Sequence, residues 1–210
     1  MTDTVVVVAG GSAPGRRALE GVPAGAPVIA ADRGADHALA LGLDVTLAVG
    51  DFDSASDEAL ETLAARGTRI ERHPVDKDAT DLELALRAAL GLAPRRILVV
   101  GGIEGRLDHL LGELLALGSA DYEDVELDAV LGEARVHVVR GERVLAGTKG
   151  ELISLFALDG PASGIVTDGL EYPLRGGTLQ PGSSRGISNR FAAQEARISV
   201  GNGLVLAVRP

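Results

Sequence analysis

Short runs of apolar residues alternate with longer helical patterns along the first 118 residues of the chain. Most of the runs are rich in β-branched residues and lack the apolar–polar alternation of a half-exposed strand. This pattern is typical of strands buried on both faces of a parallel sheet. It predicts strands at Thr4–Ala9, Pro27–Ala31, Thr46–Val49, Thr68–Arg72 and Arg95–Val100.

The segments between these runs have the period of an amphipathic helix. In the third of them, leucine and alanine recur at positions i, i+3, i+4, i+7 and i+8 from Leu82, which places them on one helical face. Strands that alternate with helices in this way predict an α/β fold, an open and mostly parallel sheet with flanking helices. The predicted helices are Gly34–Leu41, Ser56–Arg66, Ala79–Leu90 and Leu107–Leu117.

The pattern changes after residue 118. Val125–Leu131 predicts one more strand, and turn clusters at Asp159–Pro161 and Gly176–Gly177 then separate short β runs with no convincing helix. Many short strands punctuated by glycine and proline predict a small all-β sandwich. We therefore expect an α/β domain over residues 1–131 and a β-sandwich domain over residues 132–210. The β runs of the second domain are Arg135–Val139, Glu151–Leu158, Gly164–Thr167, Arg197–Val200 and Leu204–Val208.

Charge and composition exclude several classes of function. The chain has 30 acidic and 20 basic residues and a net charge of -10, so it repels phosphate backbones, and no nucleic acid partner is expected. It contains no cysteine, which excludes disulfides, thiolate metal sites and a cysteine nucleophile. Its apolar runs are far shorter than the roughly 20 residues of a membrane span, and no signal peptide is visible. These features predict a soluble cytoplasmic protein that does not bind a membrane.

The turns that follow the predicted strands carry the chemistry. In open α/β sheets, ligands bind beyond the carboxyl ends of the strands, so residues in these turns meet at one edge. Aspartates dominate three of the five turns, and glycines and cations occupy the rest. This combination favours a site for a divalent metal and phosphate. The turns are Gly10–Ser12, Asp32–Gly34, Gly50–Ser54, Asp76–Asp81 and Gly101–His109.

Two aspartates two positions apart are the strongest metal candidates. Asp51 and Asp53 project to the same side of an extended backbone, and carboxylate oxygens are the ligands that Mg²⁺ prefers. The alternative is that they cap the next helix, and the same alternative applies to Asp81. Lys77 and Arg106 supply the positive charge that a polyphosphate needs, although Lys77 is equally consistent with a solvated surface lysine.

Six segments, in this order, resemble the thiamin pyrophosphokinase family along nearly the whole chain. The resemblance implies an α/β domain followed by a β-sandwich, and a homodimer with thiamine at the subunit interface. It also implies transfer of the terminal diphosphate of ATP to the hydroxyl of thiamine, with release of AMP. The segments are Ala31–His37, Gly50–Ser54, Asp76–Asp81, Gly105–His109, Gly169–Leu174 and Ser184–Asn189.

The resemblance also assigns residues to roles. Asp51, Asp53 and Asp81 are expected to hold Mg²⁺ and, with Arg106, to form the catalytic set. The expected nucleotide-binding residues are Asp32, Lys77, Asp78, Thr80, Arg106, Asp108 and His109. The expected thiamine-binding residues are Tyr172, Ser188 and Asn189, although Tyr172 is equally consistent with a place in the sandwich core.

The chain departs from the family pattern at Arg33, Asp36 and Glu104, where glycine, asparagine and a small residue are usual. These departures put fine specificity in doubt. Two rival functions also stay open on the sequence. One is a related diphosphokinase that acts on another heterocyclic alcohol, such as a pterin. The other is a non-catalytic nucleotide or thiamine sensor, which would keep the β-domain site and lose the metal carboxylates.

Overall fold

The structure, a computed structural model, describes residues 3–103 and 105–210. The departure at Glu104 therefore lies outside the described residues. The chain divides into a first unit, which runs to residue 113 and includes 125–133, and a second unit of 114–124 and 134–210. The predicted boundary placed 114–124 in the first domain. The predicted boundary stays a prediction. Within the second unit, Arg140 donates hydrogen bonds to the carbonyl oxygens of Gly118 and Ser119, both at 2.8 Å.

The first unit contains a parallel sheet with the strand order β6-β5-β1-β2-β3-β4. Its strands are β1 Thr4–Val8, β2 Val28–Ala31, β3 Val45–Gly50, β4 Arg69–Arg72, β5 Arg96–Gly101 and β6 Glu126–Leu131. Its helices are α1 Gly34–Ala40, α2 Asp57–Ala65 and α3 Asp81–Leu90, with a 3₁₀ turn at Arg16–Leu19. Helix α4 Leu107–Ala116 begins in this unit and ends in the second, which also contains a 3₁₀ turn at Ala120–Tyr122. In the described part of the chain, no helix has the length and apolarity needed to cross a bilayer. The predicted α/β fold class is confirmed.

Helices cover both faces of this sheet, which explains the continuous apolar runs. Val6 and Val8 pack in one cluster with buried residues of α1 and α2, and α3 packs on β1, β2 and β3. The chain moves outward from β1 to β4 and then returns to add β5 on the other side of β1. The carboxyl ends of the strands near this reversal form the crevice that binds ligands in such folds.

A glycine lets α1 begin directly after β2. A Cβ on Gly34 would lie 2.1 Å from the carbonyl oxygen of Val8, so any side chain would push the helix away from the sheet. The close approach places the turn between β2 and α1 at the crevice.

The second unit is built from long antiparallel strands. Strand β11 Glu195–Arg209 pairs with both β7 Ala134–Ala146 and β8 Leu152–Asp168. The shorter strands β9 Arg175–Leu179 and β10 Asn189–Arg190 pair with β8. Buried residues from these strands form a core of their own. The all-β class predicted for this part of the chain is confirmed.

The predicted turns inside this unit are wrong. Asp159–Pro161 lies within β8 and Gly176–Gly177 lies within β9. Positive φ angles of 59° at Asp159 and 83° at Gly203 let the strands bend, and a register shift between Asn202 and Leu204 keeps β8 and β11 paired across the bend. Bulges of this kind kink a strand without ending it. The pairs of short runs predicted in β8 and β11 are therefore single long strands.

Candidate active site

A cavity of about 500 Å³ lies at the carboxyl ends of β1, β2 and β3 and at the first turns of α3 and α4. It brings together nearly all the residues predicted to bind metal and nucleotide. Asp78 is the exception, since it is not among the residues that line the cavity. The predicted residues that do line it are Asp32, Asp51, Asp53, Lys77, Thr80, Asp81, Arg106, Asp108 and His109.

Three carboxylates in this cavity are close enough to share a cation. Asp32, Asp51 and Asp53 each offer an oxygen atom, and these atoms lie within 4.8 Å of one another. Asp32 is 8% exposed and has a φ of 47°, a conformation that non-glycine residues keep mainly at functional sites. Its Oδ2 accepts a hydrogen bond from the hydroxyl of Ser54, and its buried Oδ1 has no partner among the described residues. A buried carboxylate oxygen without a partner is costly unless a ligand completes its surroundings.

A lysine links two of the cavity carboxylates. The Nζ atom of Lys77 lies 2.5 Å from Asp51 Oδ2 and 3.1 Å from Asp81 Oδ1. The hydrogen bond from Lys77 lowers the pKa of Asp51, whereas burial raises the pKa of Asp81. The Lys77 side chain is 14% exposed, so its interpretation as a solvated surface lysine is wrong. Asp81, which was expected among the metal ligands, contacts Lys77. Asp32, which was expected to bind nucleotide, lies with Asp51 and Asp53 in the group of three close carboxylates.

The helix caps next to the cavity are not the candidate metal ligands. Ser56 caps α2 by accepting a hydrogen bond on its Oγ, and Thr80 caps α3 through a capping box. The carboxylate of Asp51 instead accepts a 3.1 Å hydrogen bond from the backbone N–H of Asp53. The alternative that Asp51, Asp53 or Asp81 serves as a cap is therefore wrong. The Thr80 side chain, predicted to bind nucleotide, is used at the start of α3.

Arg106 and Asp108 form a two-pronged ion pair at the start of α4. Arg106 Nε lies 3.2 Å from Asp108 Oδ1, and Nη2 lies 2.6 Å from Oδ2. The hydrogen bonds from Arg106 lower the pKa of Asp108 to about 2. Both side chains are more than 60% exposed, so the guanidinium stays open to a ligand from the cavity.

The two described departures from the family pattern have different surroundings. The carboxylate of Asp36 accepts hydrogen bonds from the backbone N–H of Ser56 at 3.1 Å and from its Oγ at 2.5 Å, which ties α1 to the start of α2. Arg33 lines an adjoining cavity of about 520 Å³, which also contacts Arg106 and His109. Asp36 is therefore structural, and Arg33 adds positive charge beside the site.

Sequence reasoning missed Glu113, which lines both cavities. Burial raises the pKa of its carboxyl to about 7. A signal was present, since Glu113 follows His109 by four positions and therefore lies on the same face of α4. Ser54, which donates a hydrogen bond to Asp32, lies in the predicted turn Gly50–Ser54 but was not among the predicted site residues.

The second unit has its own cavity of about 540 Å³. Of the predicted thiamine-binding residues, Tyr172 and Asn189 line it and Ser188 does not. Tyr172 is 63% exposed, so its alternative place in the sandwich core is wrong. The lining residues are Leu155, Glu171, Tyr172, Pro173, Leu174, Arg185, Gly186, Ile187 and Asn189.

Asn189 is a buried residue whose hydrogen bonds support the wall of this cavity. It is 6% exposed, and its Oδ1 accepts hydrogen bonds from the backbone N–H groups of Tyr172 and Arg190 at 3.0 and 2.8 Å. Its Nδ2 donates to the carbonyl oxygen of Tyr172 at 2.8 Å. These bonds hold Tyr172 in place and occupy both polar ends of the amide. Asn189 is therefore positioned to shape the cavity more than to contact a ligand.

Comparison with known proteins assigns both units. Residues 24–128 match the family described as thiamin pyrophosphokinase, catalytic domain, and residues 133–205 match thiamin pyrophosphokinase, vitamin B1 binding domain. The chain belongs to the thiamin pyrophosphokinase family. It is accordingly an enzyme, an ATP-dependent diphosphokinase whose substrates are thiamine and ATP. The two rival functions, a diphosphokinase for another alcohol and a non-catalytic sensor, are not favoured.

Relatives within the thiamin pyrophosphokinase family share its length and its fold. The thiamine pyrophosphokinase of Bacillus subtilis is 26% identical over 183 residues, which cover 86% of each chain. The crystal structure of the Bacillus subtilis enzyme superimposes with a TM-score of 0.86 at 26% identity, covering 99% of this chain and 98% of that one. A thiamin pyrophosphokinase family protein from Enterococcus faecalis gives a TM-score of 0.80 at 25% identity, with coverage of 99% and 98%.

Proposed function

We propose that the cavity lined by Asp32, Asp51 and Asp53 binds Mg²⁺ and the phosphate chain of ATP, and that diphosphate transfer takes place there. The observation that carries this proposal is the group of three carboxylate oxygens within 4.8 Å of one another. The unpartnered, buried Oδ1 of Asp32 supports it, because a cation would satisfy that oxygen. An all-oxygen donor set fits Mg²⁺, which also keeps water and substrate phosphates as ligands.

In the reaction, the hydroxyl oxygen of thiamine bonds to the β-phosphorus of ATP. The bond from this phosphorus to the oxygen bridging the α and β phosphates breaks, AMP leaves, and the hydroxyl proton is released. Bound Mg²⁺ would supply charge neutralisation for the phosphates. The protein contributes positioning and electrostatic stabilisation, as in phosphoryl transfer generally.

Two cations of the chain have the geometry to stabilise the transferring group. Lys77 carries three N–H donors, of which one bonds to Asp51, and it also forms an ion pair with Asp81, so a donor is left for a phosphate oxygen. Arg106 is exposed, and its planar guanidinium can bind two phosphate oxygens at once. Asp108 holds that guanidinium in orientation from one side.

The cavity of the second unit is proposed to bind thiamine, a cation with two heterocyclic rings joined by a methylene group. Leu155, Leu174 and Ile187 offer apolar surface, and Glu171 offers negative charge. Tyr172 presents an exposed ring at the same cavity. Gly186 packs directly against the backbone of Leu155 at this cavity, because a Cβ there would lie 2.0 Å from the carbonyl oxygen of Leu155.

A homodimer with thiamine between the subunits is the finer part of this proposal. Helix α4 supports it with a row of leucines, Leu107, Leu111 and Leu115, that are 78%, 56% and 53% exposed. An exposed apolar row on a helix is typical of a protein interface. The cytoplasmic location stays a prediction from the sequence.

The activity is tested by incubating the chain with ATP, Mg²⁺ and thiamine and separating the products by chromatography. We expect AMP and thiamine diphosphate in equal amounts. Parallel reactions with a pterin alcohol in place of thiamine should give no diphosphate product. Formation of ADP, or equal turnover of the pterin, would contradict the proposal.

The dimer is tested by complementation between Asp53→Asn and Asn189→Ala chains at thiamine concentrations well below KM, where the first alone should be nearly inactive and the second about tenfold less active than the parent. Random exchange at equal amounts makes about half the dimers hybrid, and each hybrid has one intact site of two, by the symmetry of a two-fold dimer. Activity should then recover to about a quarter of the parental value. Absence of recovery, with exchange verified by mass spectrometry, would place the whole site within one chain.

A further inference from the structure

Glu113 is a cavity carboxyl that the mechanism above does not use. It lies on α4, lines both the carboxylate cavity and the adjoining one, and is half-buried. The side chain of Glu113 makes no hydrogen bond or ion pair with any described residue. Burial alone raises the pKa of this carboxyl to about 7. This carboxyl therefore changes protonation near neutral pH.

Four of the other acidic groups around the cavity have partners, and the carboxylate of Asp53 belongs to the group of three proposed to hold Mg²⁺. Asp51 and Asp81 contact Lys77, Asp108 contacts Arg106, and Asp32 accepts from Ser54. The charged and titratable residues that face the two cavities are Asp32 and Arg33 after β2, Asp51 and Asp53 after β3, Lys77 and Asp81 at α3, and Arg106, Asp108 and His109 on α4. Among the carboxyls of this set outside the proposed metal group, Glu113 is the one that would meet a phosphate chain with no described partner for its charge.

The two protonation states of Glu113 have opposite effects on an anion. A carboxylate has only acceptor oxygens and repels phosphate, whereas a carboxylic acid has one O–H that can donate to a phosphate oxygen. A group near a bound anion therefore binds a proton more tightly than it does in the free protein. By linkage, the anion then binds more tightly to the protonated protein.

We propose that Glu113 is a nucleotide-binding residue that carries a proton when ATP is bound, so that nucleotide binding is coupled to proton uptake at this side chain. The proposal rests on the proposed function, because it takes the carboxylate cavity as the ATP site. Its consequence is a nucleotide affinity that falls as the pH rises above neutral.

His109 also lines both cavities, and it lies one helical turn before Glu113 on the same face of α4. The two residues must therefore be separated by substitution. Glu113→Gln keeps a neutral side chain with a donor at every pH, whereas His109→Gln removes the imidazole and leaves Glu113. Glu61, exposed in the middle of α2, offers a matched Glu61→Gln control.

The test is calorimetry with the α,β-methylene analogue of ATP, which cannot undergo transfer, in excess Mg²⁺ and in buffers of different ionisation enthalpy. At pH 7.5 we expect the parent to take up between half a proton and one proton. The Kd of the parent for the analogue should rise roughly tenfold per pH unit above the pH at which Glu113 loses its proton in the free protein. Glu113→Gln should show near-zero uptake and a Kd that changes less than about twofold, while Glu61→Gln and His109→Gln keep the parental uptake.

Zero proton uptake by the parent would overturn the proposal without any variant. Parental uptake in Glu113→Gln, or its loss in His109→Gln alone, would overturn it as well. Failure of the proposed function looks different. In that case the analogue would not bind to the parent, or it would bind equally to Asp53→Asn in a manner independent of Mg²⁺.

Discussion

Replacing Lys77 by methionine removes the cation shared by two cavity carboxylates while keeping an unbranched side chain of similar length. Asp51 and Lys77 are 8% and 14% exposed. Removing one partner of a fully buried ion pair costs about 3–5 kcal/mol, and an exposed pair contributes about 0–1 kcal/mol. Because this pair lies at the wall of an open cavity, we expect an intermediate loss of about 2 kcal/mol. For a chain of this size that is a Tm lower by about 4–8 °C.

The loss depends on pH because the carboxylates must be ionised for the ion pair to exist. The pKa of Asp51 is lowered in the folded protein, so its stabilising effect is present above the ordinary pKa of aspartate and is lost as the pH falls through the folded value. Without Lys77, burial disfavours the ionised form of the Asp51 carboxyl. The difference between parent and variant should therefore be largest near pH 7.5 and shrink towards pH 4.

The assay is thermal and urea unfolding in metal-free buffer at pH 4.5, 6 and 7.5. Lys149→Met is the matched control, since Lys149 is exposed and contributes the same change in net charge. Millimolar Mg²⁺ should restore part of the stability of Lys77→Met by supplying positive charge to the carboxylates. A Lys77→Met chain as stable as Lys149→Met at pH 7.5, or a loss that does not vary with pH, would refute the reasoning.

Three further substitutions test separate parts of the account. Arg106→Lys keeps the charge and loses the two-pronged geometry, so AMP formation should fall by about 10²-fold or more. A change confined to the KM for ATP would contradict its transition-state role. Asn189→Ala removes the hydrogen bonds that hold Tyr172, so the KM for thiamine should rise about tenfold, as expected for a loss of about 1.4 kcal/mol. An unchanged KM would oppose this. Gly34→Ala would place a Cβ 2.1 Å from the carbonyl oxygen of Val8. It should destabilise the chain by about 1–3 kcal/mol in urea unfolding, and parental stability would show that α1 can shift at no cost.

The sequence predicted the first unit well because its strands are buried on both faces. A run such as Val5–Val8 has no polar position that would place it at a surface, and α3 shows a clear apolar face. The second unit was harder to predict. Asp159 and Gly160 have the composition of a turn, but pairing with β11 on both sides keeps the strand continuous through a bend. Local composition cannot reveal pairing between distant segments.

The rule that ligands bind at the carboxyl ends of parallel strands was enough to bring Asp32, Asp51 and Asp53 to one cavity. The sequence did not predict which aspartates face the cation site and which one contacts Lys77. Whether Asp81 faces the cation site or Lys77 depends on side-chain positions in the folded protein, which sequence spacing does not specify. Glu113 was not predicted because a single glutamate on a helix forms no recognisable sequence motif, and its burial depends on the tertiary fold.

The most direct test of the central claim is the rate of AMP formation by Asp53→Asn as a function of Mg²⁺ concentration, with ATP and thiamine saturating. Asp44→Asn, an exposed substitution that does not line the cavity, serves as the control. The account predicts a loss of about 10²-fold or more for Asp53→Asn, with an unchanged circular dichroism spectrum and parental turnover in the control. Parental turnover of Asp53→Asn at limiting Mg²⁺ would contradict the claim that these carboxylates hold the metal at which diphosphate is transferred.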